Sequence, residues 1–158
     1  ITEQDCHNID VVHWFTDRNP AKAMGYGNRA IRTQGDVLDA LSVTFQYADG
    51  MVFNYSAHQL GRDTAFQDVS ETFMCETGSV RTSRTGITVW RKGVKEAEEW
   101  PTKYDITNDA INQFIEGART GKMENAAIWG AESTLAAIMA KDAIYSGKEV
   151  TWEKIIKG

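Results

Sequence analysis

Two alternating runs, Leu41-Ser-Val-Thr-Phe-Gln-Tyr47 and Met51-Val-Phe-Asn-Tyr-Ser-Ala57, face each other across Asp49-Gly50. Period-two alternation rich in β-branched and aromatic residues specifies strands. An Asp-Gly step between two such runs specifies a hairpin. The pattern repeats over residues 69–75, 79–83 and 87–91, with Gly78 and Gly86 marking turns. Residues 20–26 read as one more strand, and Gly25-Tyr-Gly27 with the following Arg29 and Arg32 as a loop. Strands joined by tight turns favour an antiparallel sheet.

Helical periodicity flanks this β-rich middle. Residues 3–17 form an amphipathic helix in which Glu3, His7, Asp10 and Trp14 fall within roughly 60° of arc. Ile9, Val12 and Phe15 occupy another side. A second helix spans residues 106–120, capped by Thr107 and stopped by Gly121, with Ile111, Phe114, Ile115 and Ala118 as a buried stripe. A third spans 126–145, with Ile128, Ala131, Leu135, Ile138 and Met139 on its core side. Val150-Thr-Trp152 resembles a short strand pinned by one aromatic. The charged segment 92–103 reads as a solvated loop or edge. The fold class is α+β: an open, mostly antiparallel sheet with helices packed on one face. If so, the strands should still present Phe45, Tyr47, Phe53 or Tyr55 on an apolar face that marks an interface between copies of the chain.

At 158 residues the chain fits one domain with a sizeable core. Its net charge of -5 argues against nucleic acid, which demands a clustered basic surface. No apolar run approaches the roughly 20 residues that span a membrane. Cys6 and Cys75 have no metal-type spacing and read as free core thiols of a reducing compartment. Pro20 and Pro101 punctuate element ends.

The residues able to carry chemistry start with His7. Glu3 lies one helical turn before it and Asp10 nearly one turn after. A carboxylate at one ring nitrogen fixes the tautomer and raises the basicity of the other, so such an imidazole can exchange a proton near neutral pH. Spacing alone nevertheless favours a surface histidine satisfied by its neighbours. A metal centre is disfavoured: His13 points about 120° from His7 around the helix, and no Cys-x-x-Cys or His-Glu-x-x-His pattern occurs. His58 and Gln59 at the end of a strand, and Arg29 and Arg32 in a glycine-containing loop, could hold a hydroxyl-rich or anionic ligand. Gly25-Tyr-Gly27 lacks a third glycine and a surrounding βαβ unit, so no dinucleotide-binding domain is encoded here.

The run Glu3-Gln-Asp-Cys-His7-Asn-Ile-Asp10-Val-Val-His-Trp14-Phe resembles the histidine-bearing helix of the Gfo/Idh/MocA oxidoreductases, which include glucose–fructose oxidoreductase and inositol dehydrogenase. The resemblance continues, in the family's order, through Gly35-Asp-Val-Leu-Asp39, Phe45-Gln-Tyr-Ala-Asp-Gly50, Ser133-Thr-Leu-Ala-Ala-Ile-Met139 and Ser146-Gly-Lys-Glu-Val-Thr-Trp152. It implies that residues 1–158 are a C-terminal catalytic and substrate-binding domain, of the glyceraldehyde-3-phosphate dehydrogenase C-terminal type. The Rossmann domain that binds NAD or NADP, and the leading strand of the sheet, would precede Ile1.

By the same resemblance the parent transfers a hydride between the nicotinamide and a hydroxyl or carbonyl carbon of a sugar, cyclitol or polyol. His7 would assist proton transfer at that oxygen. Glu3 would be its partner, although several family members have Asp at this position. Asp10, Arg29, His58 and Gln59 are the candidate substrate-binding residues. The chain alone would be inactive, would self-associate through the open sheet face, and would be cytoplasmic, or periplasmic if the parent carries an export leader. The alternative is a non-catalytic ligand-binding or oligomerisation module that keeps the family fold.

Overall fold

The computed structural model describes residues 1–2, 4–60, 68–102 and 106–157. They form two compact units, one of residues 1–67 with 128–158 and one of residues 68–127. The class is α+β, as the sequence indicates. The described strands form two four-stranded antiparallel sheets where the sequence pointed to one.

The first unit holds α1 (Cys6–Thr16), β1 (Lys22–Asn28), β2 (Ala40–Gln46) and β3 (Val52–His58). The second holds β4 (Ser70–Cys75), β5 (Gly78–Ser83), β6 (Gly86–Arg91), β7 (Glu98–Pro101) and α2 (Thr107–Thr120). The chain then returns to the first unit with α3 (Ala127–Ser146), β8 (Val150–Thr151) and α4 (Trp152–Lys157).

In the first unit the sheet order is β3-β2-β1-β8. The predicted hairpin joins β2 and β3: the Tyr47 N–H donates to Met51 O at 2.9 Å, and Gly50 takes φ +90°, a left-handed value that favours glycine. Strict alternation along β2 sends Leu41, Val43 and Phe45 inward and Ser42, Thr44 and Gln46 outward. Phe45 stands opposite Phe53, their rings stacked at 5.3 Å, and Val43 stands opposite Tyr55. Ile9 and Val12 of α1 and the alanine-rich side of α3 (Ala136, Ala137, Ala140, Ala143, with Met139) complete this core. Large rings on the sheet and small residues on the helix fill one another's spaces, which dense packing requires.

This arrangement corrects three expectations. Phe45, Tyr47 and Tyr55 are buried and Phe53 is half-buried, so these aromatics do not furnish an apolar open face. The outward face is instead largely hydroxyl and amide: Ser42, Thr44, Asn54 and Ser56, with the Thr44 hydroxyl donating to Asn54 Oδ1 at 2.9 Å. On α3, Ile128 and Ala131 are exposed and the core side is rotated toward Ala136, Ala140 and Ala143, with Met139 kept inside. Finally, Gly25-Tyr-Gly27 lies within β1 rather than in a loop. A Cβ on Gly25 would sit 2.6 Å from Ser42 O and 2.8 Å from Val43 Cγ2, so the close approach of β2 excludes a side chain. Gly25→Ala is therefore expected to destabilise the chain by about 1–3 kcal/mol, read as a lower midpoint in urea. An unchanged midpoint would show that the strands can separate at no cost.

The second unit is a meander in the order β4-β5-β6-β7, plus α2. Strand β7 falls in the charged segment read as a loop or edge. It is an edge strand whose Glu98 accepts from Arg91 Nε at 2.6 Å across the β6–β7 pair, and that bond holds the carboxyl below its usual range. Of the described residues in this unit, Gly117 alone is buried. Phe73, Val80 and Val89 are half-buried on one sheet face, on which Ile87 and Trp100 are exposed. Ile111, Phe114 and Ile115 of α2 are all more than half exposed, so the predicted buried stripe is uncovered. Periodicity identifies an apolar side but not what covers it. The N-cap of α2 is Ile106, with no side-chain cap bond, and Thr107 is the first helical residue; Gly121 ends the helix at φ +69° as expected. Cys75 is exposed and Cys6 half-buried, so neither is the core thiol that the sequence suggests.

Candidate active site

Helix α1 positions the leading candidate. Its core side is set by Ile9, Val12 and His13, which are buried, while His7, Trp14 and Phe15 face solvent. Asp17 closes the helix in a left-handed conformation, its N–H donating to His13 O at 2.7 Å. Beside it the Arg18 guanidinium pairs with Asp49 of the β2–β3 turn. The end of α1 is thus tied to that turn, and His7 lies nearer the other end of the helix. Glu3, the partner that the resemblance implies for it, lies outside the described residues.

Asp10 is half-buried, and its Oδ1 accepts the Trp129 indole N–H at 2.8 Å and the Ser133 hydroxyl, both from α3. One turn further on, His13 lies 4.3 Å from the Trp129 ring, centre to centre. Its Nδ1 is 3.0 Å from Arg18 O and its Nε2 is 3.3 Å from Glu132 Oε2. Asn19 Nδ2 donates to the other Glu132 oxygen at 2.9 Å. Asp10 and His13 together fasten the helix that carries His7 to α3. The sequence held a signal for part of this: His13 is four residues after Ile9 and so shares its buried side.

A second group forms at the end of β1 and β3. Asp39 is 2% exposed and its carboxylate accepts backbone N–H groups from Ala30, Ile31 (3.0 Å) and Arg32 (2.8 Å). Burial pushes its carboxyl up, but the backbone donors outweigh burial and leave it below its ordinary value. Nothing in the sequence could reveal this role, because backbone amides carry no residue signature. The loop held by Asp39 bears Arg29, whose guanidinium donates to Gly35 O, and Arg32, which donates to Gln59 Oε1 at 2.5 Å. The Gln59 N–H returns to Asp39 O at 2.8 Å. His58 is exposed and lines a shallow cavity of about 330 Å³ with Tyr26, Asn28 and Ser42. Three of the four candidate binding residues, Arg29, His58 and Gln59, therefore gather around one loop. Asp10 belongs to the α1–α3 contact instead. A larger cavity, about 820 Å³ between α2 and residues 122–124, contains none of the candidates.

A depressed carboxyl stabilises the fold above its unfolded value of 3.8, and that contribution is lost as pH falls through the lower folded value. Asp39→Asn should therefore lower stability at neutral pH and flatten the acid limb of the stability–pH curve. Parallel curves for variant and parent would contradict this.

Among the described residues no group of three His, Cys, Asp or Glu side chains could hold a metal ion. None of the described helices is long and apolar enough to cross a membrane. Every described strand pair is antiparallel, so these residues supply no parallel βαβ crevice for a dinucleotide.

Residues 1–81 match the family model of the GFO/IDH/MocA C-terminal domain. No curated protein sequence matches the chain. Among solved structures, aldose-aldose oxidoreductase from Caulobacter crescentus, solved with glycerol, aligns at a TM-score of 0.75 and 13% identity over 92% of this chain and 45% of its own. UDP-N-acetylglucosamine 3-dehydrogenase from Acidithiobacillus ferrooxidans aligns at 0.74 and 15% over 90% of this chain and 46% of its own. The WlbA dehydrogenase from Bordetella pertussis, solved with NADH and UDP-GlcNAcA, aligns at 0.60 and 12% over 94% of this chain and 43% of its own. The chain thus spans less than half the length of these structures, and at such identities the likeness is one of fold.

Proposed function

Because the chain belongs to the Gfo/Idh/MocA oxidoreductase family, we propose that it is the substrate-binding and catalytic half of an NAD(P)-dependent dehydrogenase or reductase acting on a sugar, cyclitol or related hydroxyl or carbonyl compound. The nicotinamide would be held by a Rossmann domain outside these residues. When bound, it supplies the hydride chemistry. What this chain contributes is the proton and the grip on substrate.

The observation that carries the reading is His7: an exposed imidazole on a helix pinned to α3 through Asp10 and His13. A rigid element with a solvent-facing base suits proton transfer to or from a substrate oxygen. In oxidation His7 takes the hydroxyl proton; in reduction it gives a proton to the carbonyl oxygen. Glu3 would orient it. Arg29, His58 and Gln59 would bind substrate hydroxyl or acidic groups, and Asp10 would serve mainly by setting α1. The chain alone would be inactive, since the cofactor and the substrate sit on different domains. Self-association through the outward sheet face belongs to the same proposal, with Met24, Tyr26 and Val52 as its exposed apolar residues.

The test is the full-length protein mixed with NAD+ or NADP+ and a panel of sugars, cyclitols and polyols, following the absorbance of the reduced nicotinamide. Turnover of at least one compound supports the reading. Saturable binding of such a compound without any turnover would instead identify a non-catalytic module.

A further inference from the structure

We infer that the substrate carries an anionic group, a carboxylate or a phosphate, held by Arg29 and Arg32 at one corner of the first unit's sheet. The inference rests on the proposal that the residues around this loop grip the substrate, and it narrows the substrate class to acidic polyhydroxy compounds.

The charges at this corner lack a counter-charge. Arg18, Arg81, Arg91 and Arg119 each pair with a carboxylate. Arg29 and Arg32 bond neutral oxygens instead, the first the Gly35 carbonyl and the second the Gln59 side-chain carbonyl at 2.5 Å. Such a bond orients a guanidinium without neutralising it, and leaves most of its N–H donors for another acceptor. The loop has two carboxylates of its own. Asp39 is buried, its oxygens taken up by backbone N–H groups, and among the described residues Asp36 forms no ion pair with either arginine.

The backbone that carries the two arginines is fixed. Besides the bonds to Asp39, the Tyr145 hydroxyl of α3 donates to Asp36 O at 3.1 Å. A fixed loop loses less conformational freedom when it binds a ligand.

The neighbouring side chains define the rest of the ligand. Arg29 follows Asn28 and Gln59 follows His58; Asn28 and His58 line the cavity of about 330 Å³ with Tyr26 and Ser42. Strand register sets Tyr26 opposite Ser42, and Ala40 opposite both Asn28 and His58, so all four polar residues share the outward sheet face. A phenol, an amide, a hydroxyl and an imidazole suit ligand hydroxyl groups, and no carboxylate lines this cavity. A neutral sugar leaves the two guanidiniums uncompensated. A sugar acid or sugar phosphate supplies the oxygens that a guanidinium recognises best.

The experiment titrates the full-length protein by calorimetry, in low salt, with uronic acids, hexose phosphates and the matching neutral hexoses. At least one anionic series should bind about 10- to 100-fold more tightly than its neutral counterpart, and which series does so identifies the anion. The preference should shrink as salt rises. It should vanish in the double variant Arg29→Gln/Arg32→Gln and persist in part in Arg29→Lys/Arg32→Lys. Equal affinities, no binding of any anionic compound, or a preference that survives the glutamine variant would overturn the inference. A second measurement needs no variant: an arginine-specific dione modifies the parent protein, and mass spectrometry maps the sites. The anionic ligand should protect Arg29 and Arg32 and leave the exposed Arg84 reactive. Unprotected Arg29 and Arg32 would likewise overturn it. Turnover enters neither readout. A dehydrogenase that binds neutral and acidic sugars alike removes this inference and leaves the proposed reaction, whereas acid binding without turnover does the reverse.

Discussion

Replacing Phe45 by alanine is expected to remove about 4 kcal/mol of unfolding free energy, a large share of what a marginally stable domain has. Phe45 is 1% exposed, lies next to the last residue of β2 and stacks on Phe53. The cost has two parts: the lost transfer of the ring from water, and the cavity left behind. That cavity would not close easily, because the buried side of α3 in the same core is mostly alanine, whose methyl groups cannot extend to refill space. Urea unfolding with a probe of tertiary structure measures the effect. Ile111→Ala on α2 is the internal control: that residue is 51% exposed, and its loss should move stability by no more than about 0.5 kcal/mol. Equal effects at the two positions would mean that the apolar face of α2 is covered in solution.

The second large effect concerns activity. His7→Ala in the full-length protein should reduce kcat by about 10² to 10⁴, the usual range for loss of a general acid or base. The thermal midpoint should hardly move, since His7 is exposed and the α1–α3 contact runs through Asp10 and His13. That combination separates a proton-transfer role from a structural one. Full activity in the variant would remove the role assigned to His7, and a large drop in midpoint would recast it as a packing residue.

Where sequence and structure agree, the reason is that local pattern and tertiary demand coincide. Along β2 the alternation Leu41, Val43, Phe45 is also the burial pattern, and Asp49-Gly50 supplies the turn conformation it suggests. Where they part, a neighbour decided the outcome. Gly25 and Gly27 look like loop residues until the backbone of β2 is placed against them. Glu98 and Glu99 look solvated, yet an edge strand tolerates them and Arg91 pairs with the first. On α3 the larger side chains suggested the core side, but apart from Met139 the buried residues there are mostly alanines. The candidate site divides the same way. His7 is a candidate by resemblance, and its exposure on α1 agrees with the surface position that spacing alone favours. The burial of His13 could have been read from Ile9, whereas Asp39 could not, because its partners are main-chain amides.

The first unit is discontinuous, and this sets an order of events during synthesis. Strand β1 pairs with β8, and the inner sheet face is covered by α3, both contributed from beyond residue 127. A growing chain therefore displays α1 and the β1–β3 hairpins with their aromatic side uncovered while about sixty further residues are made. At roughly 5 to 20 residues per second that interval lasts several seconds. The meander of the second unit, built from pairings between adjacent strands, can assemble within the same interval. On the ribosome, then, the middle of this chain is positioned to form first, and the unit bearing His7 closes last.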